Sequence, residues 1–156
     1  MEVSNRRSGH VALRKGRVSI AEQIYLVTSA THRRHSWFSD FNCAVAAAGC
    51  FGKVTQQFGA TLLAWVLMPD HAHWLLQLGV DASLSSAVNG LKSASARHVN
   101  RLLQRSGAVW ATGFHDHALR RDEDLKLAAR YIIANPVRAG LVSRVGDYPF
   151  WNAVWL

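Results

Sequence analysis

The alternation of apolar and polar positions divides the chain into strand-like and helix-like segments. Residues 61–68 (TLLAWVLM) and 71–78 (HAHWLLQL) are apolar runs of strand length joined at Pro69-Asp70, a pair suited to a tight turn, and they predict a β-hairpin. In the second run the period is two. His71, His73, Leu75 and Gln77 share one face, and Ala72, Trp74, Leu76 and Leu78 share the other. The latter set is wholly apolar and belongs against helices, so the two imidazoles look out from an open face. Residues 20–28 (IAEQIYLVT) predict a first strand and 108–120 (AVWATGFHDHALR) a fourth.

Residues 38–59 (FSDFNCAVAAAGCFGKVTQQFG) predict one helix that starts at Ser39 or Asp40 and ends near Gly59. Cys43 and Cys50 share a face of it as core filler. Residues 83–105 (SLSSAVNGLKSASARHVNRLLQR) predict a long amphipathic helix capped at Ser83. Asp122, Glu123 and Asp124 favour the start of a last helix, where the dipole prefers anions. It runs through LKLAARYIIA and stops near Asn135, because proline disfavours helical geometry in the residue before it. The aromatic tail packs back on the domain. The order β-α-β-β-α-β plus a further helix predicts an α+β fold, a ferredoxin-like antiparallel sheet with two helices on one face. The opposite face is left for a ligand and the additional helix.

Composition narrows the class. A chain of 156 residues with 49% apolar content is one packed domain, and wholesale disorder is excluded. Two cysteines cannot form a disulfide framework. No apolar run reaches 18 residues, and the basic N-terminus lacks the apolar stretch of a secretory signal, so a cytoplasmic protein is expected. The net charge of +8 changes the picture more. Fourteen of the 18 cations are Arg, whose planar fork suits phosphate oxygens, and this points to a nucleic-acid partner. Residues 1–17 form a basic arm with Arg6, Arg7, Arg14, Lys15 and Arg17 against one acid, Glu2, and residues 18–156 form the domain. Arg97, Arg101 and Arg105 recur every four residues and predict a cationic stripe.

Two groups of residues carry candidate chemistry. His71 and His73 could ligate one divalent cation from the open face, although such a pair on a strand also arises incidentally. Tyr131 lies four residues before Asn135, so a phenol and an amide project from roughly one side of the last helix. They could serve as nucleophile and oxygen ligand, or Tyr131 could be core and Asn135 a helix stop. His115 and His117 form a second pair of the same spacing.

The segments YLVTSATHRRHSWF, AWVLMPDHAHWLL, FHDHALR and YIIANPVRAGLV, in this order and spacing, resemble the REP-associated tyrosine transposases. These are single-tyrosine HUH enzymes related to the IS200 type. The resemblance covers about residues 17–152. It implies a ferredoxin-like fold, His71 and His73 as catalytic metal ligands with Ala72 between them, and Tyr131 as nucleophile. Asn135 would be the third metal ligand. Asp70 stands where Asn is common, and Ala72 where Val is usual. The resemblance further implies Mg²⁺ or Mn²⁺, a 5′-phosphotyrosine intermediate, and single-stranded DNA with a hairpin of the repetitive extragenic palindromic (REP) type, acted on by a monomer or homodimer. His117 and Asp116, with His115 behind them, are candidates for general base or substrate contact. Arg14, Lys15, Arg17, Arg33, Arg34, Arg97, Arg101, Arg105, Arg120, Arg121 and Arg138 are candidates for phosphate contact; Trp37, Trp110 and Trp151 are candidates for stacking on bases, although core packing is the commoner fate of tryptophan. Two other functions fit a basic ferredoxin-like sheet: a non-catalytic nucleic-acid module, and a metal hydrolase working through activated water.

Overall fold

The structure, a computed structural model, describes residues 22–120 and 124–155. The expected arm at 1–17, with Arg14, Lys15 and Arg17, lies outside the described residues, as does Arg121. The strands are β1 (Ile24–Ala30), β2 (Ala60–Met68), β3 (His71–Leu78), β4 (His115–Ala118) and β5 (Trp151–Ala153). The helices are α1 (Phe41–Ala48), α2 (Phe51–Gln57), α3 (Leu84–Leu103), α4 (Leu125–Ile133) and the four-residue α5 (Asn135–Arg138). The sheet order is β4-β1-β3-β2-β5, and every neighbouring pair is antiparallel. The first four strands thus follow the expected ferredoxin-like arrangement, and β5 adds a fifth.

The hairpin β2–β3 turns at Pro69-Asp70, as its sequence predicts. One face of the sheet packs Val27, Ala72, Trp74, Leu76 and Leu78 against Phe51, Leu84, Val88 and Leu91 of the helices, all 0–1% exposed. Three helices cover this face rather than two. The expected helix over 38–59 is divided: α1, capped by the Asp40 carboxylate accepting the Cys43 N–H, ends at Gly49, and α2 restarts after Cys50. Gly49 supplies neither side-chain packing nor helix propensity at that point. The Ser83 hydroxyl caps α3 as expected.

The other face holds a smaller cluster. Ala64, Val66, Met68 and Leu75 of the sheet pack against Ala129, Ile132 and Ile133 of α4, which is the additional helix on the face left open for it. Asp124 caps α4 by accepting the Lys126 and Leu127 N–H groups. The helix stops at Ile133, and Asn135 then begins α5 with Pro136 in its first turn, a place proline tolerates. The tail returns through Tyr148, whose hydroxyl donates to the Leu67 carbonyl at 2.6 Å, into β5 beside β2. No helix among the described residues is long and apolar enough to cross a membrane.

Candidate active site

Strand register sets the site. Thr28 of β1 lies opposite His73, and on its other side opposite His115 of β4, while Val66 of β2 lies beyond His73. Directly opposed residues share a face. His115, Thr28, His73 and Val66 therefore form one cross-sheet row, and His117, Leu26, Leu75 and Ala64 form the next. Asp116 pairs with Val27, so it lies on the face packed by α1–α3, away from the imidazoles. That placement separates Asp116 from the site for which the sequence offered it as base or substrate contact. His117 and His115 are exposed on the face of His71 and His73, one strand beyond β1.

Each imidazole of β3 is held through Nδ1. His73 Nδ1 shares a 2.8 Å hydrogen bond with Thr28 Oγ1, and His71 Nδ1 lies 2.9 Å from Asp70 Oδ1. Asp70 is in turn paired with Arg34, whose Nε is 3.3 Å from Oδ2. Arg33 and Arg34 both sit at φ 56°, in the left-handed region, at a cost of about 1–2 kcal/mol per residue. This strained loop is tied to the hairpin turn, because the Thr31 N–H donates to the Asp70 carbonyl while the Thr31 hydroxyl lies between the His35 carbonyl at 2.7 Å and that of Asp70 at 3.1 Å. Partial burial works to raise the Asp70 pKa, but the His71 hydrogen bond and the Arg34 charge outweigh it and hold the carboxyl below its usual value. Burial first, then the charges of His71 and Arg138, push His73 down to about 4, which keeps its ring neutral at physiological pH.

A metal-ligating histidine commonly fixes its second ring nitrogen on a carboxylate or hydroxyl and offers the other to the ion. With Nδ1 engaged on both rings, Nε2 is the ligand atom each would offer. Their centroids are 5.0 Å apart, and metal–nitrogen bonds of about 2 Å let rings at that spacing share one ion. Among the described residues no three His, Cys, Asp or Glu side chains cluster in a metal-binding arrangement. Asn135, at the start of α5, carries an amide whose Oδ1 accepts from Arg138 at 2.7 Å while its Nδ2 is buried with no partner.

Tyr131 is 62% exposed, in contrast to a core tyrosine. It lies on the side of α4 away from the buried stripe Ala129–Ile132–Ile133, with the Arg138 guanidinium 4.0 Å from its ring centroid. Arg138 thus touches Tyr131 and Asn135, and its charge bears on His73.

The arginine stripe is reduced. Helix α3 ends at Leu103, Gln104 turns left-handed (φ 53°), and Arg105 leaves the helix to lie 4.3 Å over the Trp37 ring and to donate to Asn100. Arg97 and Arg101 remain exposed on α3, in the helical layer across the sheet from the imidazoles. Arg33, Arg34 and Arg120 are exposed as well. Trp110 is core, with its indole N–H donating to Ser95, and Trp151 donates to the Val145 carbonyl. Trp37 is half-buried between Arg105 and His35. Sequence reasoning missed Thr28 and the Arg34–Asp70 pairing. The available signal was a threonine on the β1 face otherwise formed by Ile24, Leu26 and Ala30, but its partner depends on register.

Comparison with known proteins gives the family. A family model described as "Transposase IS200 like" matches residues 19–135, a span that contains His71, His73, Tyr131 and Asn135. The chain is 36% identical over 100 residues to the REP-associated tyrosine transposase of Escherichia coli K12, covering 63% of this chain and 57% of that protein. It is 28% identical over 128 residues to a Haemophilus influenzae protein provisionally given the same name, covering 76% of this chain and 72% of that one. A solved REP-associated tyrosine transposase bound to a REP hairpin superposes with a TM-score of 0.68 at 26% identity, covering 86% of this chain and 79% of that one. The chain belongs to the IS200-like transposase family.

Proposed function

We propose that this protein nicks and rejoins single-stranded DNA beside a REP-type hairpin, with Tyr131 as the nucleophile. The observation that carries the reading is the way the rings are held: Thr28 and Asp70 occupy Nδ1 of both imidazoles, on the sheet face that carries α4 and its exposed Tyr131. The hairpin comes from the likeness to the transposase solved with one, and its basic partners would be the exposed arginines. A cytoplasmic site of action follows from DNA as substrate.

In this mechanism the Tyr131 oxygen forms a bond to the scissile phosphorus as the bond to the 3′ oxygen breaks. The products are a 5′-phosphotyrosine and a free 3′-hydroxyl, and the phenol proton passes out as the 3′ oxygen gains one. Attack by another 3′-hydroxyl reverses the step and transfers the strand. A phenolic leaving group conserves the bond energy that hydrolysis would dissipate. His71, His73 and Asn135 would hold a divalent cation, Mn²⁺ or Mg²⁺, which supplies Lewis-acid polarisation of a phosphate oxygen when bound. Thr28 and Asp70 orient the two rings, and Arg34 balances the carboxylate. Hydrolysis through activated water needs a free carboxylate base, and Asp70 is already committed to His71 and Arg34.

The test is incubation with labelled hairpin DNA and Mn²⁺ followed by denaturing electrophoresis. Wild type yields a protein–DNA adduct, and Tyr131→Phe loses it by more than about 10³-fold while hairpin binding persists. Release of a 5′-phosphate with no adduct, or an adduct retained by Tyr131→Phe, overturns the reading.

A further inference from the structure

The decapeptide Tyr131–Gly140 folds back on itself. Helix α4 ends at Ile133, α5 follows at once, and Gly140 at φ 78° ends α5 while its N–H reaches the Val137 carbonyl. The Leu141 N–H closes on the Pro136 carbonyl at 2.9 Å. This turn points Arg138 back along the chain. Its Nη2 donates to the Tyr131 carbonyl and to Asn135 Oδ1, both at 2.7 Å, and its guanidinium plane covers the Tyr131 ring. The Tyr131 carbonyl belongs to the last turn of α4, where carbonyls outnumber helical donors and a cation is favoured. One guanidinium nitrogen therefore ties a backbone atom of the tyrosine to the side chain of the amide one turn later, while the same group's π-facing surface rests on the phenol.

We infer that Arg138 is a positioning residue which fixes Tyr131 and Asn135 in one relation, so that nucleophile and amide ligand are presented together. The inference rests on Tyr131 being the nucleophile and deepens that reading. Arg138 differs from the other exposed arginines in what it touches: its contacts join two candidate functional residues that α4 and α5 present separately. The amide cannot turn over, because rotation would bring Nδ2 against the Nη2 donor. Lysine cannot replace this arrangement, having neither a plane to lie on the ring nor a fork.

Three variants test it: Arg138→Ala, Arg138→Gln and Arg138→Lys. Each is measured for hairpin affinity, for the single-turnover adduct rate at saturating DNA, and by ¹⁹F spectroscopy after 3-fluorotyrosine incorporation. The chain has three tyrosines, and Tyr131→Phe assigns the Tyr131 line. The expected result is a shifted or broadened Tyr131 line in Arg138→Ala with the Tyr25 and Tyr148 lines unmoved. The adduct rate falls about 10²-fold while affinity stays within about threefold, the signature of lost alignment. Neither Gln nor Lys restores the rate. A phosphate-tracking role predicts the reverse: weaker binding, a salt slope reduced by about one, an unchanged saturated rate and rescue by Lys. That outcome overturns the inference. A full adduct yield with an unmoved fluorine line overturns the Arg138 role alone, whereas absence of any adduct from wild type overturns the nucleophile assignment and this role with it.

Discussion

On one face of β3, Ala72, Trp74, Leu76 and Leu78 are sealed beneath α1–α3; on the other, Leu75 is sealed beneath α4 but His71, His73 and Gln77 are half-exposed. The difference is one of cover. Three helices bury the first face from end to end, whereas nine-residue α4 spans only part of the second. Around the imidazoles, Thr28 and Asp70 supply polar contacts that fix side-chain direction. The same strand thus builds stability on one side and presents reactive nitrogens on the other, separated only by the period-two alternation of its side chains.

Substitutions can test that division. The largest effect on stability is expected from Trp74→Ala, which empties a fully buried site on the packed face and costs about 3–5 kcal/mol, read as a lowered denaturant midpoint. A loss below about 1 kcal/mol would mean that the packed face carries little of the fold. An acid titration addresses the other face. His73 has a folded pKa pushed down to about 4, so the stability its neutral ring contributes is complete above its unfolded value of 6.5 and is lost as pH falls from there through 4. The loss amounts to about 3 kcal/mol, and His73→Gln should flatten that limb of the thermal melting curve. The smallest effect is expected from Thr28→Val, which keeps shape and removes the ring's hydrogen-bond partner. Mn²⁺ affinity should fall about tenfold by paramagnetic resonance, with stability lowered by about 1 kcal/mol as the ring nitrogen loses its partner.

The period-two reading of HAHWLLQL specified which side of β3 is packed, and the spacing of Tyr131 and Asn135 put the two on one side of a helix while leaving a core tyrosine open. Both depend on local geometry, which sequence expresses directly. The readings that missed depend on tertiary context. A helix expected to run unbroken to Gly59 divides at Gly49-Cys50, and the two short segments each pack into the core beside α3 and the sheet. Arg105 leaves its expected stripe because Gln104 adopts a left-handed cap and the guanidinium finds Trp37. The fourth strand shrinks from 108–120 to four residues, its start reduced to a single bridge between Thr31 and Trp110. Asp116 lies on the wrong face for a simple reason: two histidines at i and i+2 on one side of a strand put the residue between them on the other.

The short return strand β5 has an effect out of proportion to its three residues. By occupying the outer hydrogen-bonding groups of Ala64–Val66, it closes that flank against annexation by a neighbouring polypeptide. Among the described residues the sheet's outer flanks are β4, where His115 and His117 stand, and β5, so a strand added to it would pair with one of these two rather than with Ala64–Val66.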